Sequence, residues 1–587
     1  MASGAEVRVV AAIRVPLLRR SPPHLEQIPL SLFDVWFLPQ PPIQRLFLYD
    51  DDGGGGGADD YFPSLVESLR SSLADAVAVF FPLAGKLTYV PSTGDVVVDC
   101  SPSAVGDGVA FLEAESDGDA RALSAAKRHD VPAFLRLVPS LEAPELPAPV
   151  LAVQVTRFVG GGDRGGVAVG VAVQPRRGGW PELLAVHGRV VGGGARPAIS
   201  PRAAPHRELV EANVATPRHD HAPSAVADGV AFLEVEVDGG TPARTPTERL
   251  DVPAFLRLVP SLEVPELPAP VLAVQATRFV GGGGGGGVAV GVAVHHAVAD
   301  GQSFWRFMDA WSAAARGRPS PPAPAFDRSA IVHPMAADMA RRILRKKAPE
   351  LPLIPTANLL RRTWERHVVT TLELDSHRIG HIKNRIAELD EATTASPGTE
   401  RRPRRLPSTF VAVAALVWSS VVRARASRQP DDGARAHLVF PADCRRRLDP
   451  PVDAAYFGNC VRCCVAGAAA GDLADAHRGV LHAREAIREA IDGFLEHPMV
   501  EAFDAWIDAV AALVRQPGFV AVTASPRFQV YEVDLGWGAP SRVEFASESL
   551  PNGMVAMTAG RKEASVQVMA TLRPEHMEAF RSQLLYW

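Results

Sequence analysis

A chain of 587 residues, 47% hydrophobic and 22% charged, has the balance of a globular protein and is too long for one hydrophobic core. A formal net charge of −5 leaves no basic footprint for nucleic acid. No apolar run suits a bilayer span, because Val411 to Val422 is short and carries Trp418, Ser419 and Ser420. Glu6, Arg8 and Arg14 interrupt the apolar residues at the start, so Met1 to Arg14 reads as a first strand rather than a signal peptide.

In chain order, Val7 to Val15 is expected as a strand. Phe62 to Ala78 is expected as a helix, with Leu65, Leu69, Leu73 and Val77 on one stripe. Pro82 to Gly85 breaks it, and Lys86 to Val90 with Asp95 to Asp99 form a hairpin pattern. The glycine tracts Gly53 to Gly57 and Gly281 to Gly287 lack the Lys-Ser/Thr of a phosphate loop and are read as flexible connections.

Self-comparison then finds a duplication. Ser103 to Gln174 returns without gaps as Ser224 to His295, 121 residues later. Two copies at so long a period are not a solenoid. The join, 175–221, is rich in Gly, Pro, Arg and Ala and is expected as loop; His219-Asp220-His221 within it is read as an exposed polar tract. Each copy can supply one strand pair, Val150 to Phe158 with Val167 to Val173, or Val271 to Phe279 with Val288 to Val294. One set of sheet neighbours cannot serve both. The second copy is expected in the core, because its last strand leads directly into the remaining fold.

Beyond it, Ser303 to Ala315 has helical periodicity, and Arg316 to Pro355 is Pro-rich and basic in places, a connector. His367 to Leu374 is strand-like, and Ser376 to Leu389 and Ser408 to Ala426 are expected as helices. Leu438 to Pro441, Val461 to Val465, Phe528 to Asp534, Arg542 to Phe545 and Val566 to Leu572 are expected as strands, and Pro574 to Leu585 as a closing helix. This order predicts two α/β lobes: an N-terminal lobe, 1–316, holding the duplicated segment 103–174 and the join; a crossover, 317–355; and a C-terminal lobe, 356–587.

The chemistry is expected at Val292-Ala293-Val294-His295-His296-Ala297-Val298-Ala299-Asp300-Gly301, where a buried strand ends in two imidazoles. An imidazole held at a strand end and titrating near neutral pH suits a general base. Asp300 follows across a tight turn and can pin the local geometry. Only the second copy carries the imidazoles; the first runs into Gln174-Pro175. The five cysteines, Cys100, Cys444, Cys460, Cys463 and Cys464, are odd in number and sparse, which argues for a reducing compartment rather than a disulfide framework. Cys460, Cys463 and Cys464 lack a second ligand pair at zinc spacing, so no metal is expected.

Several segments together resemble the plant BAHD acyltransferases. The family's H-x-x-x-D-G signature matches His296 to Gly301. Its D-F-G-W-G signature matches Asp534-Leu535-Gly536-Trp537-Gly538, with Leu535 in the aromatic position. The Y-F-G-N-C motif of the anthocyanin and flavonoid-glucoside acylating branch matches Tyr456-Phe457-Gly458-Asn459-Cys460. Pro441 to Arg445 and Phe81 to Lys86 also look like family segments. The resemblance implies chloramphenicol-acetyltransferase-like lobes with mixed sheets and a central channel. It implies an enzyme with acyl-CoA as co-substrate and no bound cofactor. With the charge, hydropathy and cysteine readings above, the protein is expected in the cytoplasm, as a monomer, without nucleic acid or membrane. A malonyl or hydroxycinnamoyl group would pass to a phenolic or flavonoid glucoside, with His296 as base and no acyl-enzyme. Asp300 and Gly301 would support the site, Asp300 pairing with Arg445, while Asp534, Gly536, Trp537 and Gly538 would be structural. The competing expectation is an impaired paralogue or a defective product of the duplication.

Overall fold

Alternating β-branched runs assemble into three sheets among the described residues. The computed structural model describes residues 7–40, 43–50, 58–106, 108–116, 148–149, 151–158, 166–170, 275–278, 287–349, 351, 367–394, 405–426, 433–545 and 551–587. The join 175–221, with His219, Asp220 and His221, and the tract Gly53 to Gly57 lie outside them, as does most of Gly281 to Gly287.

The first sheet begins with Val7–Val15 antiparallel to Val109–Ser116 and ends with Ile43–Asp50 beside Arg542–Glu544, a strand contributed from far along the chain. Strands of both copies lie between these two pairs. A six-stranded mixed sheet is ordered Val368–Leu374, Val566–Leu572, Met554–Ala559, Phe519–Thr523, Arg435–Asp443 and Val461–Ala469. A four-stranded sheet holds the expected hairpin, Lys86–Val90 with Asp95–Asp99.

The duplicated strands correct one expectation. The last strand comes from the second copy: Gly287–Val294 pairs with Ile43–Asp50 along its whole length, and Val290, Val292 and Val294 are fully buried. Yet the first copy addresses the same edge in the same register. Tyr49 is opposite both Val167 and Val288, and Phe47 opposite both Val169 and Val290, each pair of partners 121 residues apart. The neighbouring lane is shared too. Against Val109–Ser116, Leu151–Phe158 pairs at Phe111 and Ala114, and Gln275–Arg278 pairs at Leu112 and Glu113, in one continuous register. The second copy therefore does not fill the core alone, because two near-identical segments fit one ladder equally well.

The helix Thr409–Arg425 is buried on every side from Ala412 to Trp418, as a helix that is apolar all round must be. The connector is not featureless: Ala336–Lys347 is a helix, and its Arg342 pairs with Asp504 and its Lys346 with Asp508 on the helix Phe503–Leu513. That helix, Gly479–Glu496 and the strands Phe519–Thr523 and Met554–Ala559 were not expected. Phe528 to Asp534 is a second correction. It holds a 3₁₀ turn, Val530–Glu532, because side chains take its backbone groups: Tyr49 Oη donates to the Val533 carbonyl and Asp534 N donates to Ser312 Oγ. Among the described residues no helix is long and apolar enough to cross a membrane.

Candidate active site

Strand Gly287–Val294 delivers His295 and His296 at its end, and the chain turns at once: Val298 N donates to the His295 carbonyl at 2.9 Å. His295 is buried and its Nδ1 accepts from Ala297 N at 3.1 Å, so this ring is committed to shaping the turn. His296 is half-buried. Its ring stacks face to face on Phe37, with centroids 4.0 Å apart and planes 5° apart. Its Nδ1 makes no well-formed hydrogen bond to another side chain.

Asp300 N-caps the helix Gly301–Ala315, and its carboxylate is saturated. Oδ1 accepts from Ser303 N at 2.9 Å and from Arg445 at 3.1 Å; Oδ2 accepts from Cys460 N at 3.1 Å and contacts Arg445 at 2.9 Å. Asp300 and Arg445 are each 1% exposed. Burial alone would raise the Asp300 carboxyl, but the Arg445 guanidinium and the N–H donors outweigh it and hold it below the usual range. Gly301 leaves room for the Phe528 ring, which a Cβ would meet at 3.1 Å.

Tyr456 to Cys460 is drawn in against this turn. Arg445 donates to the carbonyls of Tyr456 and Gly458, Ser303 Oγ donates to the Gly458 carbonyl, and Asn459 Nδ2 donates to the His296 carbonyl at 2.7 Å. A second buried ion pair, which sequence reasoning missed, lies on the other side. Arg328 Nε donates to Asp34 Oδ2 at 2.9 Å, and the same guanidinium reaches the carbonyls of Phe457 and Val298. Asp34 Oδ1 accepts from both the main-chain and side-chain nitrogens of Asn459, each at 2.9 Å. The available signal was Asp34 itself, a lone charge within Leu30-Ser31-Leu32-Phe33-Asp34-Val35-Trp36-Phe37-Leu38, since a charge inside an apolar run needs a partner.

The segment Asp534 to Gly538 is held elsewhere. Gly536 and Gly538 have φ of +109° and +105°, and their amides both donate to Asp534 Oδ1 at 2.9 Å. Trp537 packs edge-on against Tyr49 at 5.3 Å, and Leu535 is fully buried. Ser312, near the far end of the helix that Asp300 caps, hydrogen-bonds both the N–H and the carbonyl of Asp534. Helical rise puts this dock about 18 Å from the Asp300 end. The two motifs therefore share one rigid element and do not touch.

Electrostatics separates the two imidazoles from ordinary histidines. Burial lowers His295 to about 3, with the adjacent His296 adding to the effect. Burial likewise lowers His296 to about 4; its own main-chain carbonyl and Asp300 pull the other way, and Arg45 adds to the lowering. Both rings are neutral at pH 7. The thiols differ from reactive cysteines. Burial pushes Cys463 to about 12 and Cys464 to about 11, and raises Cys460 further. Among the described residues no cluster of three His, Cys, Asp or Glu could hold a metal ion.

Comparison with known proteins places the chain in a family. The Transferase family model matches residues 19–176 and 224–585. The BAHD acyltransferase DCR of Arabidopsis thaliana is 34% identical over 337 residues, covering 55% of this chain and 64% of that protein, less than two thirds of its length. The malonyl-coenzyme:anthocyanin 5-O-glucoside-6'''-O-malonyltransferase of Salvia splendens is 28% identical, covering 61% and 74%. Phenolic glucoside malonyltransferase 1 of Arabidopsis thaliana is 26% identical, covering 54% and 69%. The crystal structure of vinorine synthase aligns with a TM-score of 0.55 at 16% identity over 99% of this chain and 98% of that one, which shows the mixed α/β, chloramphenicol-acetyltransferase-like fold. With a family model matched over most of its length, the chain belongs to the Transferase family, the BAHD acyltransferases.

Proposed function

We propose that this chain transfers an acyl group from acyl-CoA to a hydroxyl of a phenolic or flavonoid glucoside, with His296 as general base. The observation that carries the reading is the contrast between two adjacent imidazoles. His295 is buried with its Nδ1 occupied, whereas His296 is half-buried, neutral and locked in plane by Phe37. The acceptor side is supported by relatives whose names specify phenolic and anthocyanin glucosides. Malonyl and hydroxycinnamoyl donors both occur among the relatives' names.

Neutral His296 takes the proton of the acceptor hydroxyl as its oxygen attacks the thioester carbonyl. The C–O bond forms, the tetrahedral intermediate collapses, the C–S bond breaks, and the imidazolium returns the proton to the CoA sulfur. Asp300 takes no part in proton transfer, because four donors already engage its carboxylate. A covalent acyl-enzyme has no support on this side of the turn: Ser303 is buried with its hydroxyl bonded to Gly458, and the Cys460 thiol is buried and raised.

A panel of acyl-CoA donors and phenolic glucosides, followed by release of CoA thiol, tests the reading. His296→Ala is expected to lower kcat about 100- to 10,000-fold while leaving the melting temperature within a few degrees. Near-wild-type turnover in that variant rejects His296 as the base. A second reading, an impaired paralogue, is favoured by the two copies sharing one sheet edge; it holds if the full chain stays silent across the panel.

A further inference from the structure

We propose that Asp34 is a positioning residue for the His296 imidazole, acting through Asn459 and Arg328, which hold the main chain that leads away from the His296 Cα. The inference rests on the reading of His296 as the base and deepens it. The carbonyls of His296 and Val298 bracket the turn. The first accepts from Asn459 Nδ2 at 2.7 Å and the second from Arg328 at 3.3 Å. Both donors are organised by one carboxylate: Asp34 Oδ1 takes the Asn459 amide and Oδ2 takes Arg328 Nε, each at 2.9 Å. Because Asp34 Oδ1 and the His296 carbonyl are both acceptors, the Asn459 side chain must turn its NH₂ toward them.

The third contact runs through the chain. Asp34 precedes the 3₁₀ turn Val35–Phe37, and the Phe37 ring covers the face of His296. Ring face, the carbonyl of His296 and that of Val298 thus all trace to Asp34. It is fully buried, so it acts through its neighbours and not on a substrate. Gly458 is part of the same fit: a Cβ there would lie 2.6 Å from Arg328 Cζ, so the guanidinium occupies the space that glycine leaves.

A carboxylate that only stabilised the fold would change melting and nothing else. A brace also sets how dry and how well aimed the ring is. The charged and titratable groups near His296 are His295 beside it, Asp300 across the turn, Arg45 on the strand Ile43–Asp50 and the Asp34–Arg328 pair behind the turn; the Phe37 ring covers one face. Loosening the turn lets water reach the ring.

The test uses the full chain carrying ¹³C-labelled histidine, with the His296 resonance assigned by its loss in His296→Ala. Asp34→Asn and Asn459→Ala are expected to raise the His296 midpoint from about 4 by a unit or more, toward the ordinary 6.5. They are also expected to lower kcat by about 10- to 100-fold with KM for acyl-CoA within about twofold. Arg341→Ala, which breaks a half-exposed pair with Asp95, is the control and should move neither readout. An unchanged midpoint and unchanged kcat per folded molecule in Asp34→Asn overturn the proposal, even if melting falls. Should Asp34→Asn fail to fold, Asn459→Ala decides alone, since it keeps the Asp34–Arg328 pair. If His296→Ala retains turnover, the base assignment fails, while the resonance midpoint still judges the brace.

Discussion

His296 carries a pH signature that an ordinary histidine would not. Its native value of about 4 lies below the unfolded value of 6.5, so the unfolded chain takes up the proton first as pH falls. The stability contributed by the neutral ring is fully present above pH 6.5 and is lost as pH falls through about 4. His295, lowered to about 3, acts in the same direction. The expected outcome is an acid limb of kcat/KM near pH 4, with turnover flat between pH 8 and 5.5, while the melting temperature already declines below pH 6.5. A limb at the ordinary histidine value would show the ring hydrated and the burial argument wrong. At this scale the sequence was legible where the chemistry is local. His295 to Gly301 is contiguous, and Arg445 was found because it sits in a family segment. Asp34 and Arg328 were not found, because a pair separated by 294 residues leaves no spacing to read and only the fold joins them.

Elements were legible where a short, largely apolar run is bounded by polar residues, as in Val566–Leu572, which is buried along its whole length and whose observed limits match the expected ones. They were not legible where backbone groups are taken by side chains, as in Phe528 to Asp534, or where a helix such as Phe503–Leu513 packs through a few large residues. The duplicated strands are a further case. Arg542–Glu544 already occupies one edge of Ile43–Asp50, leaving a single row of N–H and C=O groups facing the copies. One row bonds one strand. Because the registers coincide, Leu151–Phe158 and its twin around Gln275–Arg278 are alternative occupants of a single lane beside Val109–Ser116. Hydrogen exchange followed by mass spectrometry should therefore give two populations for each of these peptides, protected fractions summing to one lane, and the same division between Gly166–Gly170 and Gly287–Val294 on the Ile43–Asp50 edge. Full protection of both twins would mean that each holds a lane of its own, contrary to their common register.

At the scale of the whole molecule, the cost of the extra copy lies more in competition than in length. Each doubling of a loop adds only about 0.6 kcal/mol of closure entropy, so lengthening one connection several-fold costs on the order of 1–2 kcal/mol. The displaced copy is more serious during folding, since it leaves an unpaired apolar strand able to capture another chain. Removing residues 103–223 deletes the first copy and the join but keeps Ser224 to His295 and the whole His296 turn. The shortened chain is expected to melt roughly 1–2 °C higher and to aggregate less, as 1–2 kcal/mol implies for a protein of this size. Its turnover discriminates the functional readings. Equal activity in both chains means the second copy already wins the lane. Activity only in the shortened chain means the first copy blocks a competent site. A shortened chain that fails to fold would mean that Leu151–Phe158 supplies a lane its twin cannot, and the interchangeability inferred from their common register would be wrong.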